Sequence, residues 1–584
     1  FYSATRARRS RFVPLEDADE MFAQLDNGNL SDVGENEDHE DDDFIPEETV
    51  SDDCDLDSSE TSGESDEEQP SNETSWSRRA FDKPSADFSG VCDENEACLD
   101  DLPTPYEYFS RYVPESVFVE LANKTNMYSV FKEGKSVQTN EEEMRKLISL
   151  HLLMGVVKYP RLRLYWKPVL KTEMFANVEM SRNRFEKLRN CLHIVDVNQE
   201  NDASDRLWKV RPLLRSFQKR CHDIMLEERL CIDEQMIPFK GKLDIKQYIK
   251  GKPKPWGVKV YMLCGASGII YDFLIYQGST THLNPEEKKE FGVPGALVLH
   301  FTSRIPNGLG YKMFFDNFFT SLPVIRELGK KKIYAAGTIR INRTQKCPLK
   351  SEKELKKEGR GSHDSLVSSD GKIVMTRWLD NRAVNMASNF LAIEEEDCVS
   401  RWSKAEGTFI EVKRPAVVRE YNKSMGGVDK TDFLVSLYRT NIRSRKWTLR
   451  VIAHFVNLAV TNSWLEYRRG AELQGIRMSN QMDLLDFTLR IVEAFAKAGV
   501  ADMPRKRGRP SSSPMQPLKK LQYGNRRPVE DVRYDQVGHW PIAKEEQQRC
   551  MLEGCKGKPR IKCEKCNVHL CLTNARNCFN QSHI

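Results

Sequence analysis

Near residue 230 the spacing of apolar residues changes period, and this change constrains the fold more than any other feature of the chain. Upstream the pattern is helical. Asn140 followed by Glu143 is a capping-box pattern opening a helix through Leu147, Ile148 and Leu152. Ser181-Arg182-Asn183-Arg184-Phe185 continues into Leu188, Leu192 and Ile194 at amphipathic spacing. From Leu230 the residues become strand formers, at Leu230 to Ile232, Trp256 to Leu263 and Ile269 to Tyr276, with Gly265-Ala266-Ser267-Gly268 turning between the last two. A fourth strand is expected at Lys312 to Phe315, then a helix over Ser321 to Leu328 and a strand over Ile333 to Ile339. Residues 343 to 416 carry mixed signals and look like an insertion. Beyond Asp429 the helical period returns: Val451, Phe455, Leu458 and Leu465 share one face, and Leu485, Leu489, Val492 and Ala496 share another. A β-rich block inside helical flanks predicts the α/β class.

Three acidic blocks lie on this framework: Cys231-Ile232-Asp233-Glu234-Gln235, Phe314-Phe315-Asp316-Asn317 and Gly426-Gly427-Val428-Asp429-Lys430-Thr431-Asp432. Asp233 and Asp316 each follow a strand-forming run and are expected at the ends of neighbouring strands. Asp429 and Asp432, at i and i+3, face the same way from a helix. Taken singly, an aspartate at a strand end is more often a turn former or helix cap. Together, separated carboxylates that a fold can gather are what a two-metal phosphoryl-transfer site needs. Mg²⁺, with its preference for oxygen ligands, is the cation expected, two per site.

Net charge conceals an asymmetry. From Glu16 to Ser75 there are 25 Asp and Glu and no Lys or Arg. Setting this stretch and four early arginines aside leaves 85 basic against 61 acidic residues, a body that calls for a polyanionic partner. Residues 1 to 95 have too little apolar surface to offset ordering entropy and are expected to be disordered. The chain opens on Phe1 rather than Met, as a fragment or a conceptual translation would. No signal peptide is visible, and the longest apolar stretch, Leu147 to Val157, is too short to span a bilayer, so no membrane partner is expected.

Two segments suit nucleic acid. Lys240, Lys242, Lys252, Lys254 and Lys259 form a basic ribbon near Asp233, suited to phosphates. Pro504-Arg505-Lys506-Arg507-Gly508-Arg509-Pro510 has an AT-hook core whose arginines suit a narrow minor groove, and it also reads as a nuclear localisation signal. A nuclear location follows from the latter. Of 15 cysteines, six fall in the last 35 residues: Cys550, Cys555, Cys563, Cys566, Cys571 and Cys578. With His583 they make seven ligands of the kind that hold tetrahedral Zn²⁺. Two closed sites need eight, and His569 is the nearest candidate with His539 its rival.

The surroundings of the acids match one pattern. Asp233-Glu234-Gln235 with Phe239-Lys240-Gly241-Lys242, Tyr248, Lys252-Pro253 and Trp256-Gly257-Val258-Lys259 resembles the first catalytic block of piggyBac-family DNA transposases. Phe315-Asp316-Asn317-Phe318-Phe319-Thr320-Ser321 resembles the second, and Gly337-Thr338-Ile339-Arg340 with Asn342-Arg343 the segment after it. Tyr421-Asn422 and Met425-Gly426-Gly427-Val428-Asp429 with Asp432 resemble the third. The resemblance runs over residues 105 to 584. It implies a ribonuclease H-like core carrying Asp233, Asp316 and Asp429, with Asp432 as a fourth acid. It adds Arg340 and Arg343 to the DNA-contacting residues. It further implies cleavage and transfer of double-stranded DNA at transposon ends with TTAA targets, a homodimer, no small-molecule substrate, and a cross-braced zinc domain at the C-terminus. A domesticated descendant that binds DNA without transposing it is the alternative. The implied layout is a helical dimerisation and DNA-binding domain in two segments, 96–228 and 441–498. Between them lie the core at 229–342 and 417–440 and the insertion at 343–416. A basic linker at 499–538 and the cysteine-rich domain at 539–584 follow.

Overall fold

The computed structural model describes residues 74–90, 102–497, 534 and 538–583, apart from 199–201, 203, 250–253, 404–405 and 443. The expectations for Lys252, for Arg505, Arg507 and Arg509, and for the acidic stretch lie outside these residues. The chain divides into two compact units, one up to Ala501 and one from Asp502.

In the first unit ten strands form one sheet: β1 (Trp76–Ser77), β2 (Arg229–Pro238), β3 (Lys246–Tyr248), β4 (Trp256–Gly265), β5 (Ile270–Ile275), β6 (Lys312–Phe315), β7 (Tyr334–Thr338), β8 (His363–Ser368), β9 (Val374–Leu379) and β10 (Ala383–Ser388). Five of them run in the spatial order β5-β4-β2-β6-β7, with β2, β4 and β5 antiparallel and β6 and β7 parallel to β2. This is the ribonuclease H-like arrangement. Gly268, at φ 97°, supplies the left-handed residue of the β4–β5 turn, and its N–H donates to Gly265 O at 2.9 Å. Parallel strands need crossovers, and helices provide them before β6 and before β7. The one before β6 begins as the charged Pro285-Glu286-Glu287-Lys288-Lys289 run and is kinked at Gly292, so its pattern does not announce a helix.

Three expectations change here. Residues 74–90 are ordered: β1 adds to β8, Arg78 pairs with buried Asp364 at 2.5 Å, and Phe81 buries against Val367, Val374 and Ala392. The apolar residues Trp76, Phe81 and Phe88 supply surface that the acidic stretch lacks. The insertion also does not stand apart from the core. Its strands β8, β9 and β10 extend the core sheet through β7, and only the hairpin β11 (Asp397–Ser403) and β12 (Thr408–Arg414) forms a separate ribbon. Finally, β2 runs on to Pro238, so Asp233 lies within the strand rather than at its end.

The helices flanking the sheet are α1 (Pro105–Tyr112), α2 (Glu115–Glu133), α3 (Glu141–Val156), α4 (Arg182–Cys191), α5 (Arg211–Asp223), α6 (Pro285–Thr302), α7 (Leu322–Lys330), α8 (Ala416–Ser424), α9 (Gly427–Leu437), α10 (Trp447–Leu473) and α11 (Leu484–Lys497). Asn140 caps α3 by accepting from the Glu143 amide at 2.9 Å, but Glu143 pairs with Arg184 of α4 instead of closing the capping box. On α11 the buried face is Leu484, Phe487, Ile491, Val492 and Phe495, rotated from the expected one because Phe495 packs on Phe109 of α1 and Phe118 of α2 and Phe487 on Tyr467 of α10. Helices that precede and follow the core strands in sequence lock together through buried Glu466 of α10, which takes Arg111, Tyr112 and Arg220 as partners. Asn462 of α10 then accepts from the Ile270 amide of β5 at 2.7 Å, tying the helical layer to the sheet.

Candidate active site and metal centre

The parallel pairing of β2 with β6 sets Ile232 opposite Phe315, so Asp233, within β2, and Asp316, the residue just past the end of β6, each follow directly on this pair. Both are half-buried. The chain turns at once after Asp316, whose carboxylate accepts from the Phe318 amide at 2.9 Å and whose carbonyl accepts from Thr320 Oγ1 at 2.7 Å. That turn presses Thr320 onto Gly337 of β7, where a side-chain carbon would also collide with Phe315 O. Here is the physical use of the Gly337-Thr338 pair. Burial pushes the Asp316 carboxyl above its ordinary value and Glu234 adds to the push, while the amides of Phe318 and Phe319 and nearby Arg340 pull it back.

Asp429 arrives from the opposite direction on α9. The first turn of that helix lies against β2 and β4, and a β-carbon on Gly427 would collide with Gly265 O and approach Cys231 Sγ to 2.8 Å. Thr431 donates to Gly268 O at 2.6 Å and Lys430 to Ala266 O at 2.9 Å, so α9 is fastened to the β4–β5 turn. Asp429 remains exposed. Two buried groups feel the acids. Burial raises the Cys231 thiol to about 12, with Asp233 and then Asp429 adding to the rise. The phenol of Tyr421 is raised by burial and, in turn, by Asp316 and Asp233.

Asp432 has its own support. Asp233 and Gln235, two apart on β2, face the same side of the sheet. Gln235 Nε2 donates to Asp432 Oδ1 at 2.8 Å, and His454 Nε2 meets Gln235 Oε1 at 2.8 Å. Burial holds His454 down at about 3, so the neutral ring is the donor in that second bond. Arg439 lies 3.9 Å from Asp432. Gln235 and His454 were not singled out as site residues by sequence alone; only the Gln235 position, two past Asp233, offered a signal.

Of the expected DNA contacts, Lys240, Lys242 and Lys254 are exposed. Lys259 lies between the rings of Tyr261 and Phe318, at 4.8 and 4.7 Å from their centroids, beside the Asp316 turn. Arg340 donates to Asn317 Oδ1 at 3.1 Å and Arg343 to Phe318 O at 2.8 Å, so both hold that turn.

The second unit contains two clusters whose ligand atoms all lie within 4.8 Å: His539, Cys563, Cys566 and His583, and Cys550, Cys555, Cys571 and Cys578. Among the described residues the eighth member is therefore His539 and not His569, which is buried outside both clusters and has neither ring nitrogen hydrogen-bonded there. The strand pairing of Pro541 with Cys563 carries His539 to its site, a link invisible in the spacing. Sulfur pairs stand 3.6 and 3.8 Å apart, and His539 Nδ1 lies 3.3 Å from Cys566 Sγ. Those are the edges of a tetrahedron with metal–sulfur bonds of about 2.3 Å, and far from the roughly 2.05 Å of a disulfide. The donor set fits zinc, and the clusters alternate along the chain as a cross-brace.

The ribonuclease H-like core sets the fold class, and residues 104–464 match the family model described as Transposase IS4. The human PiggyBac transposable element-derived protein 3 is 31% identical over 477 residues, covering 80% of this chain and 75% of that protein. The human PiggyBac transposable element-derived protein 2 is 32% identical over 489 residues, covering 82% and 76%. The cryo-EM structure of a piggyBac transposase synaptic complex with hairpin DNA shares the fold, with TM-score 0.57 and 21% identity over 81% of this chain and 96% of that one. The chain belongs to the piggyBac family of transposases.

Proposed function

We propose that this chain cleaves and joins DNA strands, with Asp233, Asp316 and Asp429 as the catalytic carboxylates and Asp432 as a fourth acid beside them. The observation that supports the reading is the parallel pairing of Ile232 with Phe315, the residues directly before Asp233 and Asp316, together with the close packing on β2 and β4 of the helix that carries Asp429. Mg²⁺ ions, two in number, would be held by these carboxylates and would activate the attacking water and stabilise the leaving oxygen. The protein's own part is positioning. The Phe318 amide and the arginines at 340 and 343 hold the Asp316 turn, Gln235 orients Asp432, and the lysines near β2 and β4 seat the phosphates. The family implies terminal repeats and TTAA targets as the DNA, a dimer as the working form and the nucleus as the place of action. Zn²⁺ in the cross-braced unit would order it for contact with transposon ends.

The test is a cleavage assay with Mg²⁺ on DNA carrying the terminal repeats that flank the gene. Wild type should nick and form hairpins at the ends, and Asp316→Ala should lower the rate by at least about 10³-fold while binding persists, the loss of a metal ligand removing several kcal/mol of transition-state stabilisation. Binding without cutting by the wild type would overturn the catalytic reading and leave a DNA-binding descendant.

A further inference from the structure

The end of the β2–β4 hairpin carries an aromatic pair that the chemistry above does not use. Tyr248 of β3 and Trp256 of β4 sit directly across from each other, with ring centroids 4.9 Å apart and planes inclined at 51°. They are 54% and 42% exposed, large values for rings of this size. Lys246 sets its ammonium 4.9 Å from the Trp256 centroid. From Phe239 to Trp256 the chain has six lysines and one acid, Asp244. Exposed rings inside a cationic segment match the way proteins hold unpaired nucleotides, with lysines on the phosphates and rings on the base faces.

The register gives the location. Asp233 is five residues from Pro238, which pairs with Gly257 beside Trp256. Five strand residues span about 17 Å. That is about five nucleotides at roughly 3.4 Å per step along one strand. A base within a duplex has both faces covered by its neighbours, so only an unpaired one can lie on the rings.

We propose that Tyr248 and Trp256, with Lys246, form a stacking platform for an unpaired DNA base about five nucleotides from the phosphate held at the aspartates. This rests on the strand-cleavage reading for the position of that phosphate, whereas the platform itself is a property of the rings and lysines.

The experiment uses the full chain in an Asp316→Asn background, so that binding is measured without cutting. Two probes are compared: a fully paired duplex, and the same duplex with a five-nucleotide single-stranded flank carrying 2-aminopurine at each flank position in turn. Tyr248→Leu with Trp256→Leu should weaken binding of the flanked probe about tenfold, within the roughly 1–3 kcal/mol of one stacked base, and leave the paired duplex unchanged. Quenching of 2-aminopurine at one flank position should disappear with it, and Tyr248→Phe with Trp256→Phe should restore both signals. Equal loss on the two probes, or no loss on either, would overturn the platform. A lowered unfolding midpoint with unchanged binding would assign the pair to bracing the sheet edge. Because none of these readouts involves cleavage, a failed platform leaves the catalytic reading standing, and inactive wild type in the cleavage assay leaves the platform standing.

Discussion

Gly427 decides where the third acid goes. Its missing side chain lets α9 settle onto Gly265 and Cys231, and any larger residue must lift the helix that carries Asp429. Gly427→Ala should cost about 1–3 kcal/mol by overpacking, read as a lower urea midpoint, and should reduce cleavage more than its stability loss explains. The histidines of the C-terminal unit give a second prediction. His539→Ala should lower bound zinc from two ions to one, whereas His569→Ala should retain two, as metal release to a chromogenic chelator would show. Spacing along the chain favours His569 because it lies between Cys566 and Cys571. Three-dimensional pairing favours His539, since β13 (Pro541–Ala543) lies against β14 (Ile561–Cys563) and returns the distant residue to the cluster.

At the level of elements, the segment around β1 is a strap from outside the folded domains. Phe81 fills a small apolar site on β8 and β9, and Phe81→Ala should cost about 3 kcal/mol, measurable by equilibrium unfolding. The strap shows what a sequence reading can and cannot reach. The core strands were legible because Leu230 to Ile232, Val258 to Leu263 and Lys312 to Phe315 are mostly buried runs whose composition is local. Residues 74–90 were assigned to the disordered tail because their order depends on partners roughly 290 residues away, such as Ser368 for Trp76. Strands β8 to β10 escaped for a related reason. Their polar residues Asp364, Arg377 and Ser388 are buried and hydrogen-bonded, which hides the alternation. The residues flanking the aspartates were legible as one family pattern, but not the Gln235–His454 link, whose members are 219 positions apart.

For the molecule as a whole, acidity should be destabilising. Burial holds His151 down at about 4 and His454 at about 3. Unfolded histidine titrates near about 6.5, so below that pH the unfolded chain binds protons that the folded chain refuses. The stabilisation is complete above about 6.5 and is lost progressively as pH falls toward 4 and then 3. Urea midpoints should drop between pH 7 and 5, and His151→Phe should flatten part of that slope. The long separation of the acids has a different consequence, one of timing. Asp429 follows Asp233 by 196 residues, across the entire insertion. At ribosomal rates of about 5–20 residues per second, the last carboxylate emerges roughly 10 to 40 s after the first. A nascent chain therefore cannot gather the proposed set of acids until α9 has been made, and the cross-braced unit follows later still.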